Sequence, residues 1–255
     1  MKVVAVIFLI ALAGCTSRDN PVSVTYALSG ANPNVDLAAA VLRDPGMQSP
    51  EVERGQRIVM GTASCEMGHQ CFSCYQCHGI RGEGGATAAL PRLAGQDWRY
   101  LYRALEEFAS GRRANATMHE VSVALTDEQM QDVAAYYAKV SAPAPLAPPS
   151  KDDASAQAGL AIDQHGLADA GVPACATCHA TAPRTDGPIY PYVAGQFADY
   201  LEQQLEQFRA GTRGGQDAQI MQGIARNLSA EQARAASVHF ASQSPPASTT
   251  RHPQG

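Results

Sequence analysis

The sequence predicts an all-α fold made of two tandem domains. Three observations lead there. Apolar residues recur at helical spacing, as in Leu101, Leu105 and Phe108. The chain repeats itself at an offset of 100 residues. No segment alternates apolar and polar residues with the period of a strand over a useful length.

The repeat sets the domain organisation. Pro91-Arg92-Leu93-Ala94-Gly95-Gln96 answers to Pro191-Tyr192-Val193-Ala194-Gly195-Gln196. Tyr100, Leu101, Leu105, Phe108 and Gly111 answer to Tyr200, Leu201, Leu205, Phe208 and Gly211. Beyond an insertion near Gly214 to Gln219 the offset becomes 103, so Met118 answers to Met221 and Thr126 to Ser229. A Pro-rich run at 141–150 separates the copies and reads as a semi-rigid spacer. The domains are therefore placed at 51–140 and 151–241, with a weakly patterned tail at 242–255. Each is small for an independent core and needs added apolar mass.

The helices follow in order. A first covers Val52 to Met60, and a second follows Gln96 and ends at Gly111. A third starts at Thr126, where Thr126 and Gln129 form the pattern of a capping box. Ser229 and Gln232 repeat that device in the second copy.

Cysteine supplies the chemistry. The seven are Cys15, Cys65, Cys71, Cys74, Cys77, Cys175 and Cys178. Four lie in Cys74-Tyr75-Gln76-Cys77-His78 and Cys175-Ala176-Thr177-Cys178-His179. Two thiols at this spacing can add to the two vinyl groups of one haem, and the adjoining His then binds the iron from below. A zinc site would want further paired ligands, and a redox dithiol would not need the His. Two haem c groups are expected, on Cys74 and Cys77 and on Cys175 and Cys178, with His78 and His179 as proximal ligands. Cys71-Phe72-Ser73-Cys74 has the same spacing but is followed by Tyr75, which cannot take the His role. Cys65 and Cys71 remain, and a short disulfide between them is the simple expectation in an oxidising compartment. Service of one of them as an iron ligand is the alternative.

A carrier needs both faces of its iron closed. The second ligand should come from a loop between the second and third helices. Met118 lies 40 residues after His78, with Met130 and His119 as rivals. Met221 lies 42 residues after His179 and is the only Met beyond it, with His239 and His252 as rivals. Methionine is usually a core residue, but the repeat aligns Met118 with Met221, and this pairing favours ligation. His/Met ligation favours reduced iron and a high potential. Pro91 and Pro191 are open between two roles: a carbonyl acceptor for the other ring N–H of the haem His, or a simple turn residue. His69, His165 and His239 read as surface or core residues, and no acid–base or nucleophile set is organised.

The amino terminus has its own signal. Lys2 precedes an apolar run from Val3 to Ala13, too short to span a bilayer. The run ends in Leu12-Ala13-Gly14-Cys15, which resembles a bacterial lipobox. That resemblance implies a signal at 1–14, a lipid on Cys15 and a tether at 15–50. About 35 residues of tether would reach roughly 30 Å. Thr16 is not Asp, which leans the sorting towards the outer membrane.

The ordered series over about 51–241 resembles the cytochrome c4 family. It comprises Cys-x-x-Cys-His, Pro-x-Leu-Ala-Gly-Gln, Tyr-Leu, Phe-x-x-Gly-x-Arg and then Met, with Ile220-Met221-Gln222-Gly223-Ile224-Ala225 in the second copy. The resemblance implies two class I cytochrome c domains, each wrapped around one covalent haem. It also implies Met118 and Met221 as ligands, the Pro91 and Pro191 carbonyls as His partners, and a periplasmic carrier that commonly serves a terminal oxidase. The lipobox, the Cys65/Cys71 insertion and Ala180 in the place of Gly79 depart from that pattern.

The resulting expectation is a membrane-tethered di-haem electron carrier, not an enzyme. Its partners would be redox proteins: a terminal oxidase, a quinol-oxidising complex or a dehydrogenase. The alternative is a fixed cytochrome subunit of a periplasmic dehydrogenase, as in flavocytochrome-type sulfide oxidation. A di-haem peroxidase or thiosulfate-oxidising cytochrome would need an open or unusually ligated iron. With a formal charge of −5 and no basic block, nucleic acid is excluded as a partner.

Overall fold

The computed structural model describes residues 50–61, 73–85, 90–141, 154–179, 189–215 and 218–245. The lipobox with Cys15, the tether, Cys65, Cys71, His69, nearly all of the Pro-rich run and the tail beyond residue 245 lie outside them.

The first half contains α1 (Pro50–Val59), the single turn α2 (Tyr75–His78), α3 (Trp98–Ala109), α4 (Ala116–Val123) and α5 (Asp127–Lys139). The second contains α6 (Ala154–His165), a 3₁₀ turn (Ala168–Ala170), α7 (Ala176–His179), α8 (Ala198–Arg209), α9 (Ala218–Arg226) and α10 (Ala230–Ser242). The described residues form no strand, only three isolated bridges. No helix among them is long and apolar enough to cross a membrane.

Each half is built on one helix crossing. In the first, α1 packs on α5, and α3 packs on α5 beside it. Helix α5 is buried on all sides from Asp132 to Ala138, as expected of a helix at the centre of a small core. Its start is fixed by Thr126 and Gln129, which bond reciprocally to each other's backbone N–H at 2.9 and 3.2 Å. Ser229 and Gln232 do the same for α10 at 2.8 and 3.2 Å.

Close approach at the crossing requires glycine. A Cβ on Gly55 would sit 2.0 Å from the Asp132 carbonyl oxygen, and one on Gly159 would sit 2.1 Å from that of Ala235. The halves differ beside this point. Arg54 grips the buried Asp132 carboxylate with two hydrogen bonds of 2.8 and 2.7 Å, where the second half has Ala158 and Ala235. Arg54→Met strips that carboxylate of its cation and is expected to cost about 1–3 kcal/mol. Thermal unfolding of the holoprotein reads this, and R54M/D132A should recover most of the loss.

The second half also runs further than its sequence pattern suggests. Helix α10 ends at Ser242, and Pro245 approaches Gly195 closely enough that a Cβ there would lie 2.8 Å from its ring.

Candidate haem sites

Turn α2 carries Cys74, Cys77 and His78 within a single helical turn, closed by a 2.9 Å bond from His78 N–H to the Cys74 carbonyl. Turn α7 does the same with Cys175, Cys178 and His179, also at 2.9 Å. None of these four cysteines is in a disulfide among the described residues. Burial pushes Cys74 and Cys175 up to about 11, with Asp163 adding to the effect at Cys175.

The two histidines are held alike. His78 Nδ1 lies 3.1 Å from the Pro91 carbonyl oxygen, and His179 Nδ1 lies 2.8 Å from that of Pro191. A carbonyl only accepts, so Nδ1 carries the proton and the neutral ring keeps its lone pair on Nε2. Burial lowers both histidines, and the bond to the proline carbonyl only partly offsets it. A neutral imidazole with a bare Nε2 is the form that binds iron. The Pro91 and Pro191 carbonyls thus lie within hydrogen-bond distance of the two rings.

The methionines are placed differently from expectation. Met118 and Met221 were expected on loops, but they lie in the short helices α4 and α9. The sequence hid α4 because its helical order comes from a cap and not from apolar periodicity. Asn115 accepts the Met118 N–H through its side chain at 2.9 Å. Both helices still lie between the second and third long helices of their half. Met118 packs against the same core cluster as Cys74, and Met221 packs on Phe208, Ala218 and Ala225. Of the rivals, Met130 is in the core and His239 is buried beside Asp163; His119 Nδ1 donates to the Phe108 carbonyl at 2.8 Å, which leaves its Nε2 bare, so only the repeat, which aligns Met118 with Met221, ranks it below Met118. The residue set in each half thus suits a haem: paired thiols, a neutral His with a free nitrogen, and a thioether on a following helix.

Sequence reasoning did not reveal how the halves meet. The Gln96 amide donates to the Tyr192 carbonyl and accepts the Tyr192 N–H, both at 2.9 Å. Gln196 does the same to Arg92, again at 2.9 Å each way. Arg113 and Arg213 form an antiparallel bridge. Arg113 reaches the Tyr200 hydroxyl (2.8 Å) and Gln204 (2.7 Å), while Arg213 reaches the Tyr100 hydroxyl (2.9 Å) and Gln204 (2.7 Å). Each guanidinium also covers the phenylalanine of its own motif, Phe108 at 4.5 Å and Phe208 at 4.3 Å. Burial pushes Tyr100 up, but Arg213 and Arg113 outweigh it and leave the phenol below its ordinary value. All these residues except Gln204, whose counterpart is Ala104, lie inside the repeated motifs. The signal was the repetition itself, but repetition does not say which copy contacts which.

A cytochrome c family model matches residues 52–141. A thiosulfate dehydrogenase electron acceptor from Stutzerimonas stutzeri (strain A1501) is 36% identical over 170 residues, which is 67% of this chain and 78% of that one. Cytochrome c4 from Thiocapsa roseopersicina is 35% identical over 169 residues, 66% of this chain and 85% of that one. This chain belongs to the cytochrome c4 family. The crystal structure of reduced recombinant cytochrome c4 from Pseudomonas stutzeri superposes with a TM-score of 0.62 at 31% identity, covering 75% of this chain and 98% of that one. A thiosulfate dehydrogenase (TsdBA) from Marichromatium purpuratum gives 0.66 at 30% identity, covering 75% of this chain but only 40% of that longer one. As a cytochrome c4 family member the chain is all-α, with two tandem cytochrome c domains, carries two haem c groups, and transfers electrons.

Proposed function

We propose that this chain is a periplasmic, membrane-tethered carrier that accepts electrons from a thiosulfate-oxidising dehydrogenase and passes them towards a terminal oxidase. The observation that carries the reading is the doubled arrangement of a proline-locked histidine with a methionine on the second helix after it. Cys74 and Cys77 hold one haem and Cys175 and Cys178 the other. His78 with Met118, and His179 with Met221, close the two irons. When bound, the haem supplies a one-electron couple. The chain orients the ligand nitrogens through the Pro91 and Pro191 carbonyls. Two relatives named as thiosulfate dehydrogenase electron acceptors support the choice of donor. The tether rests on the lipobox and its Cys15.

A second reading is a fixed subunit of the dehydrogenase. It is favoured by the match to 40% of a longer thiosulfate dehydrogenase chain. Co-purification of a stable dehydrogenase partner from membranes would select it over the free carrier.

The optical spectrum of the pure protein tests the site. Expected are a far-red Met-to-iron band at two-haem intensity and no change when carbon monoxide meets the reduced protein. Met118→Ala and Met221→Ala should each halve that band and open one iron to carbon monoxide. A wild-type protein that binds carbon monoxide overturns the closed-carrier reading. Cys15→Ser should release the protein from membranes, and retention there would refute the tether.

A further inference from the structure

The two halves share a backbone plan, so a position where they differ chemically is informative. The Gly95 N–H donates to the Tyr137 carbonyl at 2.9 Å and the Gly195 N–H to that of Phe240 at 2.8 Å, which fixes the register of α5 against α10. In that register Tyr137 corresponds to Phe240, and the two side chains differ by one hydroxyl. Tyr137 is 1% exposed. Its hydroxyl is buried and has no hydrogen-bond partner among the described residues. A buried donor without an acceptor is rare in a native protein and calls for an explanation.

Packing does not supply one. Phe240 is buried in the corresponding place without the hydroxyl. Nor does the surrounding core lack acceptors. The ring of the neighbouring Tyr136 meets that of Tyr137 edge-on at 5.2 Å, and its hydroxyl donates to the Ile80 carbonyl at 2.7 Å. One phenol of the adjacent pair is satisfied by protein, and the other is not.

The unsatisfied one lies at the first haem site. Its ring rests against Gly82, where a Cβ would sit 2.7 Å from the Tyr137 Cδ1. The Gly82 carbonyl accepts the Leu93 and Ala94 N–H groups at 2.8 and 3.1 Å. That closes the loop which brings the Pro91 carbonyl back to His78. Cys74 packs against the core cluster that contains Tyr137. A phenol is protonated at neutral pH, and burial pushes this one further up, with Cys74 the next contributor, so the group can donate. Ser73, directly before Cys74, repeats the contrast. Its hydroxyl is also buried without a partner among the described residues, and the residue before Cys175 is Ala174. Both differences thus gather around the same attachment cysteine.

We infer that Tyr137 tunes the first haem: its hydroxyl donates to the haem edge joined to Cys74 and raises that haem's potential, a contact that the second half lacks at Phe240. The sign follows from charge. Reduction by an electron from the redox donor removes one unit of positive charge from the haem. A hydroxyl hydrogen turned towards it is then held more firmly, so the reduced state gains. Hydrogen bonding around a haem is one of the levers a protein has on its potential. No proton changes place, since the phenol keeps its hydrogen in both states. The inference rests on haem attachment at Cys74 and Cys77.

Spectroelectrochemical titration of the holoprotein tests it through two reciprocal variants. Tyr137→Phe, which installs the second half's own residue, should lower one of the two potentials and leave the other level. Phe240→Tyr should raise the other. Each shift should reach up to about tenfold in the reduction equilibrium, or about 59 mV for one electron. Two unmoved potentials in Tyr137→Phe overturn the inference, as does a rise, or an equal shift of both haems. Should Tyr137→Phe fail to fold, Phe240→Tyr in the otherwise wild-type chain decides it. A raised potential at one haem supports the hydroxyl as the tuning group, and an unchanged pair refutes it. A haem content of one per chain would sink the attachment reading and this inference together, and haem staining distinguishes that outcome.

Discussion

Gly55→Ala is expected to destabilise the holoprotein by about 3 kcal/mol, at the upper end of overpacking costs. Two effects of opposite sign compete. Helix propensity favours alanine over glycine by up to about 1 kcal/mol in a helix interior. The crossing opposes it, since the new methyl would lie 2.0 Å from the Asp132 carbonyl oxygen and 2.9 Å from the Tyr136 Cβ. The first obstacle is backbone in the buried stretch of α5, so it cannot rotate aside as a flexible side chain would. Packing wins, and α1 must lift away from α5. Gly159→Ala should behave alike, with the Ala235 carbonyl at 2.1 Å. Gly223, which has open space around its would-be Cβ, is the control: Gly223→Ala should be neutral or slightly stabilising. Thermal unfolding of the three holoproteins gives the comparison, and a stable Gly55→Ala protein would show that the helices have room the structure does not contain.

Gln196→Ala is expected to cost about 2–4 kcal/mol, because the buried N–H and C=O of Arg92 each lose their partner. The Phe197 N–H, 3.1 Å from the Gln196 oxygen, loses one as well. Gln196→Glu is the sharper probe. It keeps size and one acceptor but turns a carboxylate oxygen towards the Arg92 carbonyl, where repulsion replaces a hydrogen bond. The penalty should therefore match or exceed that of alanine, although glutamate is the more conservative shape. Amide hydrogen exchange at Arg92 should accelerate in both variants. Exchange at wild-type rates would mean that water substitutes for the clamp.

Much of the fold could be read before the structure, for physical reasons. Capping boxes are local, so Thr126 with Gln129 and Ser229 with Gln232 announced the starts of two helices that form as expected. Covalent haem chemistry fixes residue spacing over five positions, so the two attachment turns were legible too. Helices α4 and α9 were missed as helices because they are short; α4 is held by one Asn side chain. The contacts between the halves were illegible for a different reason. Gln96 and Gln196 bind backbone, which leaves no complementary residue type to search for. The pairing of His239 with Asp163 joins positions 76 apart, and only the crossing of α6 with α10 brings them together.

The two glutamine clamps are related by an approximate two-fold axis: what Gln96 does to residue 192, Gln196 does to residue 92. Because the bound groups are main chain, the side chains at these positions are free to diverge, and they have, to Arg92 and Tyr192. Two identical copies of one such unit would satisfy the same set of bonds as a symmetric homodimer. The contact therefore tolerates gene duplication and fusion without redesign, and each copy can then drift in redox chemistry while the docking geometry is inherited unchanged.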